Sequence, residues 1–450
     1  MNSFDFSLRS FRGFQEQSNV PIRPLTILVG ENSAGKSSFL AGLKFMMDSF
    51  SGFDEPSFNK DPFQLGTFEQ IAHYRGGKAG RAREFFLKIN RNVSAVSLRE
   101  QRGKVIEVLV PVEVTATFRN QESSASLSQL EIKMPDVSVL ISLSGSGSIE
   151  FIHQGKSFKS EEHSYLLRYR GADGIRGVWY LLNELSYFYK IRNEGKNESD
   201  ILLAFQNNAH LIENFVLSFR PRVVAGSPIR FKPLRTYTPG QEVVDSEGSH
   251  VPYEMAKLAR KKSKTEWQNL QAEFKKYGTS SGMFNDLEVK SFGTTASDPF
   301  QLQFSYNGPK LNIADLGYGT SQVLPILYNV ARAERGATFL IQQPEVHLHP
   351  KAQAALAQFF IEANRLRSVN FVLETHSDYI LDRVRSAIGR GIISPEHVSL
   401  LFFERRRLDN IIHHIGIDEQ GVVISPPGAY RKFFLDEQLR QLGILDADNN

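Results

Sequence analysis

Gly30, Glu31, Asn32, Ser33, Ala34, Gly35, Lys36 and Ser37 fit the pattern G-x-x-x-x-G-K-[ST], and Ser38 follows. Each residue type in it answers a physical demand. The glycines permit a loop tight enough for its backbone N–H groups to converge on one anion. A helix starting at the loop's end adds the positive end of its dipole. Lys36 then reaches the β- and γ-phosphates of a nucleotide, and the Ser37 hydroxyl ligates Mg2+. A chance match in a chain this long is on the order of a few per cent at ordinary glycine usage. Context lowers that chance. The apolar run Leu25–Val29 before the loop predicts a strand, and Leu40, Leu43, Met46 and Met47 after it recur at helical spacing. Strand, glycine loop and helix together imply that a nucleoside triphosphate binds here.

Three more segments place polar residues where apolar runs stop or start. Phe339 to Ile341 lead into Gln342, Gln343, Pro344, Glu345, Val346, His347, Leu348, His349 and Pro350. Phe371 to Leu373 lead into Glu374, Thr375, His376 and Ser377. The turn of Asp315, Gly317, Gly319, Ser321 and Gln322 opens an apolar helix. Parallel strands present functional residues at their C-terminal ends, so these segments could converge on the nucleotide. Glu345, His347 and His349 recur every second residue, a spacing that could grip a metal on one strand face or shape a loop that contacts a partner.

The elements that position these residues follow from periodicity. Phe4, Phe6 and Leu8 mark a strand, and Val108 to Phe118 alternate as a long half-buried one. Strands are expected over 128–134, 137–143 and 148–153, with the Ser144 to Ser148 glycine-serine turn between the last two. Helices are expected around 177–191, 200–219 and 253–277, and strands again at 338–341 and 369–373. Alternation of strand and helix toward the C-terminus predicts a mostly parallel sheet flanked by helices, an α/β fold. The expected division is 1–79 as the first half of a head, 80–284 as an insertion of strands then helices, and 285–450 as the second half.

The order of the phosphate loop, then "DLGYGTSQVLPIL", then "LIQQPEVHLHP", then "ETHSDYILDRV" resembles the bacterial AAA-type ATPases with an ATP-binding-cassette head, relatives of the OLD nucleases and of RecF and SMC proteins. Within that group the chain resembles the ATPase subunits of PARIS-type and, second, Septu-type anti-phage systems. The resemblance implies ATP and Mg2+ as cofactors and head-to-head homo-oligomers. Gly319, Ser321 and Gln322 would form a signature loop acting on the nucleotide of a second subunit. It further implies a switch role for His376, a Q-loop role for Gln64 in metal binding, and Gln342 beside Mg2+. A separate effector nuclease of TOPRIM or HNH type would be the partner, and a phage protein the trigger. The chain departs from the group where acidic residues usually stand: both Gln342 and Gln343 are amides. Gln343 could orient the attacking water, and Glu345 is the nearby carboxylate able to act as base. ATP binding is therefore expected with slow hydrolysis. The alternative within the resemblance is a DNA-engaging repair ATPase of the RecF or SMC type.

Composition sets the outer limits. No cysteine occurs among 450 residues, which excludes disulfides, thiol nucleophiles and Cys-ligated metal. The start of the chain lacks a basic region before an apolar stretch, and no apolar run approaches the roughly 20 residues of a membrane helix, so a cytoplasmic protein without membrane attachment is expected. A net charge of +4 permits nucleic-acid contact only through local patches. Arg260, Lys261, Lys262 and Lys264 form one such patch, or simply a solvated helix face; Arg222, Arg230 and Arg235 could neutralise phosphate or form ion pairs.

Overall fold

The computed structural model describes residues 3–51, 56–77, 80–101, 104–161, 175, 199–240, 242, 245–261 and 264–430. The helix expected around 177–191 lies outside them. Strands are numbered β1 to β20 along the chain. Two compact units emerge, the first from 1–22, 31–223 and 403–413, the second from 23–30, 224–402 and 414–450. One boundary falls just after Gly30, where the strand before the phosphate loop ends.

The first unit is built on an eight-stranded sheet. Its order is β11 (Lys156–Glu161), β10 (Ser148–His153), β9 (Val137–Ser142), β8 (Ser124–Lys133), β7 (Lys104–Gln121), β6 (Glu84–Gln101), β1 (Phe4–Phe11) and β2 (Phe14–Ile22). Every neighbouring pair runs antiparallel. Short turns impose this on the pairs that are consecutive in sequence, because a parallel pair needs a crossover of a dozen residues or more; β6 meets β1 after a long connection. The alternation expected from Val108 to Phe118 holds in part: Val112, Val114, Ala116 and Phe118 are buried, but Val108 is exposed, Val110 is half-buried and Thr117 is buried between its apolar neighbours. Strands expected in the insertion form no sheet of their own, since β6 pairs directly with β1.

Phenylalanine fills this unit's core. Phe45, on the helix Lys36–Ser51, stacks on Phe58 with ring centroids 3.9 Å apart and planes within 2°. Phe85 and Phe118 stack at 5.0 Å on adjacent strands, and both meet Phe58 edge-on. Such ring pairs add to the area they bury, roughly 0.5–1.5 kcal/mol each. The helix Lys36–Ser51 is buried over nearly its whole length, and its buried charges Lys44 and Asp48 pair with each other at 2.5 Å.

A seven-stranded sheet has the order β12 (Val223–Gly226), β16 (Thr338–Gln342), β17 (Asn370–Glu374), β3 (Leu25–Gly30), β18 (Val398–Arg406), β19 (Asp409–Ile417) and β20 (Val423–Ile424); β16, β17 and β3 belong to the second unit. β16, β17 and β3 are parallel, in the register Gln342 to Glu374 to Leu28. All three are buried along their length, as expected of parallel strands covered on both faces. β20 returns antiparallel on β19, and β13 (Asp286–Ser291), β14 (Phe300–Ser305) and β15 (Leu311–Asn312) form an antiparallel sheet apart. The sheets are thus mixed where a mostly parallel one was expected.

The helix expected over 253–277 is two helices, Val251–Arg260 and Thr265–Ser281, with Lys261 extended between them. Cations crowded into one turn repel in a continuous helix. The break lets Lys261 pair with Glu266 in the first turn of the second helix, 3.2 Å away. Among the described residues no helix is long and apolar enough to cross a membrane.

Candidate functional site

The phosphate loop joins β3 to the helix Lys36–Ser51. Gly30, Ser33 and Gly35 have φ of 133°, 60° and 91°. These left-handed residues fold the segment into a nest that concentrates its N–H groups. Glu31, Asn32, Ser33 and Ser37 face solvent, whereas Ala34 is buried beneath them. Lys36 is 4% exposed, and its Nζ donates to the Glu31 carbonyl at 2.8 Å. An ammonium docked on its own loop is positioned to exchange that carbonyl for a phosphate oxygen. The donor set therefore suits a nucleotide's phosphates.

Arg12 was not singled out from the sequence. It occupies the turn between β1 and β2 at φ 51°. Its Nε donates to Ser38 Oγ at 3.4 Å and its Nη1 to the Gln70 carbonyl at 2.9 Å. Partial burial pulls its guanidinium below the ordinary arginine value. Gln64 is exposed on β5 (Phe63–Gln64), which pairs with β4 (Asn59–Lys60) in a two-strand hairpin.

Within the second unit, the ends of β16 and β17 bring Gln342, Gln343, Glu345, Thr375 and His376 together around Arg230. The Gln343 N–H donates to the Glu374 carbonyl at 2.7 Å, with Gln343 itself at φ 42°. Thr375 N–H donates to the Leu28 carbonyl at 3.0 Å, fixing the next strand end. Glu345 turns inward. Its Oε1 accepts from the His376 N–H at 2.7 Å, and its Oε2 is buried with no hydrogen-bond partner. Burial pushes this carboxyl above its ordinary value, opposed by hydrogen bonds from His376 N–H, its own N–H and the Thr375 hydroxyl, and by the charge of Arg230.

Arg230 is 2% exposed, and its Nη2 donates to the Gln342 and Gln343 carbonyls at 3.0 and 3.4 Å. Burial lowers it to about 10, while Glu345 works in the other direction. Its Nη1 is buried and finds no partner. The strand end thus carries the two neutral amides by which the chain departs from the group, backed by an internal cation and facing one inward glutamate. The Gln342 amide, a neutral oxygen donor in the second unit, is largely buried; the Ser37 hydroxyl, in the first unit, is exposed. His376 is exposed at the strand end, just before Ser377, whose Oγ caps the helix Asp378–Gly389 by accepting from Ile380 N–H at 3.1 Å.

The turn at 315–322 opens the helix Tyr318–Ala331. Ser321 Oγ donates to the Tyr318 carbonyl at 2.7 Å. Gln322 is buried, and its amide serves the backbone of residues 230 and 231: Oε1 accepts from Arg230 N–H at 3.2 Å, and Nε2 donates to the Arg230 carbonyl at 3.4 Å. Exposed Tyr318 meets His347 edge-on at 5.0 Å. A Cβ on Gly319 would stand 2.5 Å from the His347 carbonyl, whereas one on Gly317 would meet nothing within 4 Å. Gly319→Ala is therefore expected to cost about 1–3 kcal/mol by overpacking, and Gly317→Ala to be near neutral. Thermal melts of the two variants check the contrast.

Other candidates sit apart. His349 Nδ1 accepts from Lys351 N–H at 3.3 Å as the cap of the helix Pro350–Arg367, so Glu345, His347 and His349 point to three separate tasks. Among the described residues no group of three His, Cys, Asp or Glu is arranged to hold a metal. Arg235 binds Asp315 through both ends of its guanidinium. Arg260 donates to the Ala296 and Asp298 carbonyls at 2.6 and 2.8 Å. The basic run thus spends its arginine and Lys261 on internal contacts, and Lys262 lies outside the described residues.

A family model described as "AAA domain, putative AbiEii toxin, Type IV TA system" matches residues 175–382. That span contains the 315–322 turn and both strand ends but leaves the phosphate loop outside. The match supports an ATPase head. No curated protein matches the chain. Among solved structures, the chain is similar to the Smc head bound to the C-terminal winged-helix domain of ScpA, with 12% identity over 92% of this chain and 97% of that one at a TM-score of 0.44. The SMC head domain from Thermotoga maritima is 9% identical over 93% and 100%, at 0.39. The Pyrococcus furiosus Smc head with an extended coiled coil, bound to the C-terminal domain of ScpA, is 10% identical over 97% and 98%, at 0.40.

Proposed function

We propose that this chain is an ATP-binding, slowly hydrolysing ATPase of the ABC type, acting as an oligomeric scaffold that controls a separate effector nuclease in anti-phage defence. The observation that carries the nucleotide half of this reading is the loop from Gly30 to Ser37. Its left-handed residues converge the N–H groups, and its lysine is buried against it. The roles follow from the side chains. Loop N–H groups and Lys36 would bind and orient the phosphates, and the Ser37 hydroxyl would give Mg2+ an oxygen; Gln342 and Gln64 are the further metal candidates that the resemblance names. When bound, that ion supplies neutralisation of phosphate charge. Glu345 is the base for the attacking water, Gln343 orients that water, and His376 stands at the strand end as the switch.

Slow turnover is the consequence of the amides. A glutamine carbonyl ligates Mg2+ without the charge that makes a carboxylate a strong anchor. A protein that binds ATP firmly and hydrolyses it slowly suits a timer or clamp better than a motor. The DNA-engaging alternative finds less support, since Arg260 and Lys261 are occupied within the chain.

The signature turn, with Gly319, Ser321 and Gln322, is assigned to a second subunit's nucleotide, so the complete assembly has at least two chains. Light scattering at micromolar concentration with ATP and Mg2+ is expected to give a homo-oligomer that shrinks or rearranges when nucleotide is removed. A monomer under every nucleotide condition would overturn this assignment. An effector nuclease encoded beside the chain should co-purify with the ATP-bound form.

A further inference from the structure

We infer that Asn410 is a positioning residue for the phosphate loop, holding Gly35 from the protein side so that phosphate affinity depends on an amide remote in sequence. This deepens the nucleotide-binding reading above and rests on it. Asn410 lies on β19 and is 6% exposed. A Cβ built on Gly35 would stand 2.6 Å from its Nδ2, and one built on Gly13 only 2.2 Å. The amide is wedged between the two glycines. Gly35, at φ 91°, has no other space on that side, because Phe14 Cζ would be 2.7 Å from the same Cβ.

The wedge is itself fixed. Asn410 N–H donates to the Gly13 carbonyl at 2.7 Å, and its own carbonyl accepts from Gln17 Nε2 at 3.5 Å. On either side, Gln15 N–H donates to Asp409 Oδ1 at 2.8 Å and Ile412 N–H to Gln17 Oε1 at 3.0 Å. Side chains thus lace β2 to β19 directly beneath the loop. Phe403, on the preceding strand, accepts from Glu31 N–H at 3.3 Å and packs on Phe39 at 5.5 Å. Both ends of the loop are therefore held by the same C-terminal hairpin, at Glu31 through backbone and at Gly35 through Asn410.

A neutral, flat amide is suited to this place. A carboxylate of the same shape would set a negative charge beside the loop that must receive an anion. A smaller side chain would leave the loop slack, and its N–H groups would no longer converge.

The test titrates ATP and ADP into the full chain and its Asn410→Asp and Asn410→Ala variants, with Lys36→Ala as the binding-dead control. Melting temperature is read without nucleotide. Asn410→Asp is expected to lose about tenfold in ATP affinity, from a like charge at partly screened range. ADP should lose less, and the loss should deepen at low salt. Asn410→Ala should lose about fivefold through misplaced N–H groups, and it carries the test if the aspartate variant fails to fold. ATP and ADP affinities within twofold of the parent in both variants would overturn the proposal. So would an equal loss for both nucleotides, in both variants, alongside a lowered melting temperature, since that marks a purely structural residue. Failure of the parent chain itself to bind ATP would instead bring down the phosphate-loop reading and this proposal with it.

Discussion

Lys36→Ala is expected to lower ATP affinity by about 100-fold, the upper end of what a charge-assisted hydrogen bond contributes, and to abolish biological activity. The lysine is buried against the loop, and its ammonium rests on the Glu31 carbonyl. Removing it deletes the loop's positive charge and leaves the backbone nest. The fold should survive. A buried ammonium costs desolvation, so the melting temperature without nucleotide should stay level or rise. Calorimetric titration with ATP checks the first part and a thermal melt the second. A variant that binds ATP like the parent would remove Lys36 from the site.

Glu345→Gln is expected to slow single-turnover hydrolysis by about 10²–10⁴-fold, the usual cost of losing a positioned general base, while ATP binding persists. The glutamine keeps an oxygen for the His376 N–H and replaces only the buried, unpartnered Oε2. Its effect on stability has a definite sign. Burial raises the folded carboxyl above its unfolded value. Stability from such a group is present below the unfolded value and lost as pH rises through the folded one. At neutral pH the buried anion is therefore a burden, and the neutral amide should leave stability unchanged or improved. The parent's rate should fall on the acid side at a higher pH than an ordinary carboxylate gives, and this limb should vanish in the variant. Turnover within about threefold of the parent, against the loss expected for a base, would show that Glu345 serves only to anchor the His376 backbone.

The variants also separate two ways a strand end can work. If Gln343 orients water and Glu345 takes its proton, both depend on the backbone that Arg230 holds through the Gln342 and Gln343 carbonyls. Arg230 was readable from sequence only as a cation near a helical segment, equally suited to phosphate or to an ion pair. Its burial made it a structural clamp instead. Its neighbour Gln322 followed the same course, its amide absorbed by the backbone of residues 230 and 231.

What the sequence determined by itself was local. The phosphate loop was legible because its glycines, lysine and serine are neighbours, and the left-handed angles they require belong to single residues. The strands ending at Gln342 and Glu374 were legible because buried parallel strands are continuous apolar runs. The alternation from Val112 to Ala116 along β7 was legible because the residues between are half-exposed. Tertiary structure alone decided which distant residues serve these elements. Asn410 reaches Gly35, and Gln17 reaches Ile412, across nearly the whole chain. Such a pair leaves no periodic trace, since each partner is ordinary in its own segment. The antiparallel joining of β6 to β1, the break at Lys261 and the inward turn of Glu345 were decided in the same way. Each depends on what the folded chain packs against a residue, and hydrogen-bond partners and burial are properties of that packing, set by residues that local spacing does not specify.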